Sequence, residues 1–200
     1  MRYLMTPLLS LSLIALSACG PKTAPENTGP WSLVAKDSSI SYVTIKNGSL
    51  GEVNTFSMLS GEVSEGGKAE FIVYLDSVDT ANEIRDPRMR KILFETDSYP
   101  TAKVTADLKM AQFNELPVGG SKSILLDMTL DMHGITEQFD ADMSVTRIGP
   151  NKVRVDSAAP LLIHAEDFGF GAGLAKLQEL AGLESITPIV SANVGLTFER

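Results

Sequence analysis

From Thr101 to Met110 the chain alternates apolar and polar side chains without a break: Ala102, Val104, Ala106, Leu108 and Met110 share one parity, and Thr101, Lys103, Thr105, Asp107 and Lys109 the other. Successive side chains of an extended chain point to opposite faces, so this run makes a strand with one buried and one wet face. A helix would scatter the same residues around its circumference. The pattern returns further along. Ile124, Leu126, Met128, Leu130 and Met132 oppose Ser123, Asp127, Thr129 and Asp131; Phe139, Ala141, Met143 and Val145 oppose Gln138, Asp140, Asp142 and Ser144. Near the end, Val190, Ala192, Val194, Leu196 and Phe198 oppose Ser191, Asn193 and Thr197. Less regular strands are expected at Ser32–Ala35, Ser39–Lys46, Thr55–Val63, Lys68–Asp76 and Lys152–His164, separated by turns at Gly66-Gly67, Gly119-Gly120, His133-Gly134 and Gly149-Pro150-Asn151.

Two stretches break the alternation. Asp86-Pro87 predicts a short helix to about Phe94, with Asp86 as N-cap and Pro87 in the first turn. Leu174, Leu177, Leu180 and Ala181 keep helical spacing from about Ala172, and Gly182 suits the C-terminal end. The expected class is therefore all-β: eight or nine antiparallel strands with two short inserted helices. Such strands must close into a barrel or pack as a sandwich to cover their apolar faces.

The first thirty residues read differently. Arg2 precedes an apolar run from Leu4 to Leu16, too short to span a bilayer at ~20 residues. It reads as a signal peptide over residues 1–18. Leu16-Ser17-Ala18-Cys19 resembles the bacterial lipobox, and Cys19 is the sole cysteine, so the expectation is acylation of its thiol after cleavage. Gly20, where aspartate often marks inner-membrane retention, leans the address towards the outer membrane, at its periplasmic face. Residues 19–30 carry three prolines and form the tether, leaving residues 31–200 as one domain. A net charge of −8 argues against nucleic acid and against electrostatic adhesion to anionic lipid, so membrane attachment falls to the Cys19 acyl chains.

Catalytic and metal signatures are missing from the sequence. There is no nucleophile elbow, phosphate-binding glycine loop or His-Glu-x-x-His, and His133 and His164 have no ligand-spaced companions. His133 is expected in a hairpin turn and His164 at a strand end. The chain is read as a non-enzyme with no metal and no cofactor. The densest charge cluster is Arg85, Asp86, Arg88 and Arg90. Arg85, Asp86 and Arg88 are either a polar gate that meets a ligand head, or parts of a capped helix whose arginines pair with acids and hold the Asp79-Thr80 loop.

Trp31-Ser32-Leu33, Asp37-Ser38-Ser39-Ile40-Ser41-Tyr42, Phe56, Ser60-Gly61-Glu62-Val63, Asp79-Thr80, Arg85-Asp86-Pro87-Arg88-Met89-Arg90, Leu93-Phe94, Tyr99-Pro100-Thr101-Ala102, Leu130-Asp131-Met132-His133-Gly134-Ile135-Thr136 and Asp167-Phe168-Gly169 occur in this order. In order and spacing they resemble the YceI-like family over nearly all of Trp31 to Glu199. The chain departs from the family at Asp37-Ser38, where a histidine is common, and in the helix from Ala172 to Gly182, which lengthens a loop. The resemblance implies an extended, lipocalin-like antiparallel β-barrel of about eight strands, whose interior holds an apolar lipid such as a polyisoprenoid or the tail of an isoprenoid quinone. Phe56, Phe71, Val73, Ala102, Val104, Ala106, Leu108, Leu126, Met128 and Leu130 would then line the cavity or fill it as core. Phe168 and Phe170, beside the glycines at 169, 171 and 173, would form a mobile lid or a tight end cover. The function expected is that of a lipid carrier; a structural module with a solid barrel is the alternative, and a homodimer is left open.

Overall fold

The computed structural model describes residues 29–200. The signal peptide, Cys19 and nearly all of the tether lie outside the described residues.

Twelve strands form one antiparallel sheet: β1 (Trp31–Leu33), β2 (Ser39–Lys46), β3 (Leu50–Phe56), β4 (Leu59–Val63), β5 (Lys68–Tyr74), β6 (Val78–Asp79), β7 (Thr101–Asp107), β8 (Ser121–Met132), β9 (Ile135–Gly149), β10 (Lys152–Ser157), β11 (Leu161–His164) and β12 (Ile189–Glu199). Hydrogen bonding runs around a closed ring, β1–β4–β5–β7–β8–β9–β10–β12 and back to β1. The closing contact pairs Ser32 with Glu199 and Leu33 with Phe198. The remaining strands extend this ring. β2 continues the path of β1 beside β12, β3 lies beside β2, β6 beside β3, and β11 follows β10 beside β12. The molecule is thus an eight-stranded barrel whose strands are long and locally interrupted. The periodicity that predicts Thr55–Val63 and Lys152–His164 as single strands spans those interruptions.

Each interruption has a local cause. Between β1 and β2 a 3₁₀ turn over Ala35–Asp37 is held on the outer wall: Ser38 Oγ donates to Val34 O at 2.9 Å and accepts from Thr197 N at 2.9 Å. Arg154 Nη1 donates to Asp37 O at 2.7 Å, and Lys152 Nζ reaches Asp37 Oδ2 at 2.7 Å. The Lys152 hydrogen bond draws the Asp37 carboxyl below its ordinary range. Asp37 and Ser38, the departure from the family pattern, therefore serve this outer seam. Arg154 crosses Gly195 so closely that a Cβ there would stand 1.9 Å from its Nη2.

Two helical segments cover one end of the barrel. After β6 the chain leaves the sheet, forms α1 (Arg85–Arg88) and a π turn over Met89–Leu93, and returns at β7. After β11 it forms a 3₁₀ turn over Ala165–Phe168 and then α3 (Gly171–Ala181), which ends on Gly182 at φ 62°. Leu177 of α3 is buried with Met89, Leu93, Phe94, Phe170, Leu75 and Val78. Gly173 lets α3 touch the π turn: a Cβ there would meet Ile92 O at 2.6 Å. Gly173 thus belongs to a tightly packed cover, whereas Gly171 has open space around it. A third helical turn, α2 (Ala111–Asn114), lies in the loop at the opposite end and is too short to leave a periodic signature.

Two sequence expectations need correction. Asp86 is not the N-cap of α1. Ile84 holds that position, and the entering N–H groups are received by Asn82 in the turn before it, its Oδ1 accepting from Ile84 N and Arg85 N, each at 3.0 Å. Leu50–Phe56 is a full strand, although its apolar residues show no clean alternation: Val53 faces out and is exposed while Asn54 faces in.

Gly67 makes the tightest of the turns. Its φ is 89°, and a Cβ would lie 2.1 Å from the carbonyl oxygen of Leu108, whose own N–H bonds Gly67 O at 2.7 Å. Gly67→Ala should therefore cost at least about 2 kcal/mol through backbone strain and displacement of β7's end, measured as a lower urea midpoint with unchanged slope.

Candidate functional site

Inside the ring lies a cavity of about 520 Å³, reaching from Trp31 and Phe113 at one end to Ile84 and Leu183 at the other. That volume falls within the ~300–1,000 Å³ typical of small-molecule pockets. Alternation along the strands produces it. Phe71 and Val73 of β5, Ala102 and Val104 of β7, and Met128 and Leu130 of β8 all turn inwards, the two residues on each strand being two apart. Register then thins the wall locally. Ala69 pairs with Ala106 and Val73 with Ala102, so the β5–β7 wall carries side chains too short to meet those opposite.

Phe56, Phe71, Val73, Ala102, Val104, Ala106, Leu108, Leu126, Met128, Leu130 and Phe170 all border the cavity. Phe168 does not. It is 3% exposed and lines a small separate recess with Leu162, Ile163 and His164, while its carbonyl accepts from His133 Nδ1 at 3.0 Å. Although 168 and 170 share parity, the left-handed backbone at Gly169 (φ 71°) between them sends the two rings to different places. Phe170 joins an aromatic row across the covered end: Tyr42 stacks on Phe56 at 5.5 Å, Phe56 meets Phe94 at 5.8 Å, and Phe94 meets Phe170 edge-on at 5.8 Å. His133 occupies its hairpin turn at φ 56° and packs on Phe170 at 4.8 Å. His164 is exposed at the end of β11.

The charged residues divide. Arg85 and Arg88 border the cavity; Asp86 turns away, its Oδ1 accepting from both Thr80 N, at 3.0 Å, and Thr80 Oγ1. Arg85 Nη2 donates to Thr80 O at 2.6 Å and Nη1 to Glu52 Oε2, which also accepts from Lys46 Nζ. Burial alone would raise the Glu52 carboxyl, but the Lys46 hydrogen bond and the charge of Arg85 outweigh it and lower it. The cluster thus pins the Asp79-Thr80 loop and one flank of the cavity at once.

One wall of the cavity went unread in the sequence. The inward residues of β2 run Ile40, Tyr42, Thr44, Lys46, turning from apolar to polar towards the covered end. On β3, Asn54 faces in directly opposite Tyr42, is 2% exposed, and donates through Nδ2 to Thr44 Oγ1 at 3.2 Å. Burial pushes the Tyr42 hydroxyl far above the usual phenol range; Arg85 opposes that shift and Asp86 adds to it, so the group remains an O–H donor. The available signal was the shared parity of Tyr42, Thr44 and Lys46. Among the described residues, no group of three His, Cys, Asp or Glu side chains is placed to hold a metal ion, and no helix is long and apolar enough to cross a membrane.

Comparison with known proteins gives one family and several folds. A family profile described as a YceI-like domain matches residues 31–199. A structure of a polyisoprenoid binding domain from Saccharophagus degradans, implicated in plant cell wall breakdown, superposes with a TM-score of 0.83 at 35% identity, covering 84% of this chain and 97% of that one. Burkholderia cenocepacia BcnA gives 0.64 at 19% identity, covering 82% and 98%, and Campylobacter jejuni YceI protein 0.53 at 15%, covering 74% and 84%. The last two show likeness of fold alone. No curated protein sequence matches.

Removing the Asp86 carboxylate strips the buried Thr80 of both hydrogen bonds. Asp86→Ala should lower stability by about 2–4 kcal/mol, in line with bonds to an ionised acceptor. Asp86→Asn, which keeps an acceptor oxygen, should lose less; thermal and urea unfolding of both variants checks this.

Proposed function

Because the chain belongs to the YceI-like family, we propose that it is a non-enzymatic carrier for a long apolar lipid, an isoprenoid chain with or without a quinone head, held inside the barrel. The observation that carries this reading is the hollow interior: about 520 Å³ walled almost wholly by aliphatic and aromatic side chains. An apolar chain gains ~0.8 kcal/mol for each CH₂ removed from water. A preformed dry barrel collects that gain without directional contacts, so affinity follows chain length and shape. The name of the Saccharophagus degradans relative, a polyisoprenoid binding domain, supports the same ligand class at 35% identity. A structural module with a filled barrel would not need the alanine wall of β5 and β7.

The proposed place of action is the periplasmic face of a bacterial membrane, with the outer membrane favoured by Gly20, the barrel being tethered by acyl chains on Cys19. Barrel residue Trp31 follows the tether directly, so the domain would stay within a few nanometres of its lipid source (~12 residues). Labelled palmitate should enter the full chain and be absent from Cys19→Ala; label retained by that variant would exclude the anchor.

Native mass spectrometry of the protein from bacterial membranes should find a lipid of isoprenoid mass bound one to one. Ala106→Trp fills the cavity from the thin wall. Displacing only two methylene-sized groups costs about 1.6 kcal/mol, so lipid binding should weaken more than about tenfold. Thermal stability should be retained, because the added ring enters open space. Undiminished occupancy in Ala106→Trp would place the lipid elsewhere.

A further inference from the structure

The covered end of the cavity carries two buried donors with no acceptor. Tyr42 Oη and Arg85 Nε are both sequestered from solvent, and neither has a hydrogen-bond partner among the described residues. Tyr42 is 7% exposed and, like Arg85, borders the cavity. A buried hydroxyl left unpaired costs free energy comparable to a lost hydrogen bond, so a native pair of such groups on one cavity wall calls for a partner. Aliphatic chain cannot supply one.

We propose that the covered end of the cavity is a headgroup site for an uncharged hydrogen-bond acceptor, a carbonyl-type oxygen received by Tyr42 Oη–H and Arg85 Nε–H, and that it discriminates against phosphate-headed lipids. The proposal rests on the carrier reading above and specifies what that carrier selects. Arg85 Nε–H can only donate and the Tyr42 hydroxyl can donate, so the one ligand atom that both can serve is an acceptor. Charge decides between a neutral and an anionic acceptor. Arg85 spends Nη1 on Glu52 and Nη2 on Thr80 O; Lys46 is bound to the same Glu52 carboxylate. Lys46 and Arg85 are thereby offset by Glu52 and Asp86, two cations against two carboxylates. Arg88 points its guanidinium to Leu180 O, 3.4 Å away, at the rim. A diphosphate brought to Tyr42 and Arg85 would sit beside the Glu52 carboxylate, with both Nη groups of Arg85 already engaged. The flanking polarity fits a small neutral head: Asn54 lies opposite Tyr42, Thr44 follows on the same face, and the apolar wall begins again at Phe56 and Ile40. A ligand would lie with its head among these groups and its tail along Met128, Leu130 and the alanine wall. Arg147, at the opposite end, is the competing candidate, since its Nε is also buried and unpartnered.

Three lipids with matched isoprenoid tails separate the outcomes: geranylgeranylacetone, with a ketone head; phytane, with none; and geranylgeranyl diphosphate. Isothermal titration of the full barrel with each should give ketone over phytane over diphosphate. Tyr42→Phe keeps the ring stacked on Phe56 and removes only the hydroxyl. It should weaken ketone binding about fivefold, the worth of one hydrogen bond, and leave phytane unchanged. Its melting temperature without ligand should not fall, because the hydroxyl has no protein partner to lose; a purely structural tyrosine would lose stability. Equal binding of ketone and phytane, tighter binding of the diphosphate, or loss of the ketone preference in Arg147→Met instead of Tyr42→Phe would overturn the site while leaving the carrier reading standing. Failure of the wild-type protein to bind either phytane or the ketone would overturn the carrier reading and this site with it.

Discussion

Closure of the sheet by β12 is the constraint on which the other features depend. This strand bonds β1 and β2 along one edge and β10 and β11 along the other, so that no long sheet edge of the ring is left open. Once eight strands close, the distance across the barrel follows from strand number and tilt, not from the size of the side chains inside. Interior residues can then be short without the walls collapsing onto them. A helical protein carrying Ala69, Ala102 and Ala106 at facing positions would draw its elements together; here the backbone ladder holds the walls apart and the missing side-chain volume remains as space.

The same closure explains why the ends differ. At the tether end, Trp31 is covered by the C-terminal Arg200, whose guanidinium lies 4.4 Å from the ring centre. At the other end the ring loosens, because β6 and β11 pair on one side only, and helices fill the opening. The buried cluster of Leu75, Val78, Met89, Leu93, Leu177 and the phenylalanines supplies a solid cap there. The barrel therefore has its packed core at one end and its cavity along the axis. Polar groups gather where cap and cavity meet.

That junction is also where the sequence is hardest to read. β7, β8, β9 and β12 announce themselves because long stretches of each keep apolar side chains inside and polar ones outside, with only single exceptions such as Leu125 and Ile148. β2 and β3 break the rule at Tyr42, Thr44, Lys46, Glu52 and Asn54, which face inwards and are polar or charged; Val53 breaks it from the outside. Departures of this kind concentrate at functional sites, where local pattern is given up for chemistry. The placement of Asp86 fails for a related reason. Capping preferences describe a helix by itself, whereas this carboxylate is drawn back to Thr80 by tertiary contact, and Asn82 is left to receive the first N–H groups. Phe168 and Phe170 are indistinguishable in sequence until the backbone turn at Gly169 separates them.

Alternation alone determines that the chain is a set of antiparallel strands with one apolar face each, and it identifies the inward residues of β7 and β8 but not those of β2 and β3. The order of short motifs places those strands in a family. Whether the apolar faces meet as a solid core or stand apart around a space was decided only by tertiary structure. The reason is that parity records which way a side chain points, while the distance to the side chain opposite depends on closure and register. The pairing of Ala69 with Ala106, and of Tyr42 with Asn54, exists only once the strands are aligned.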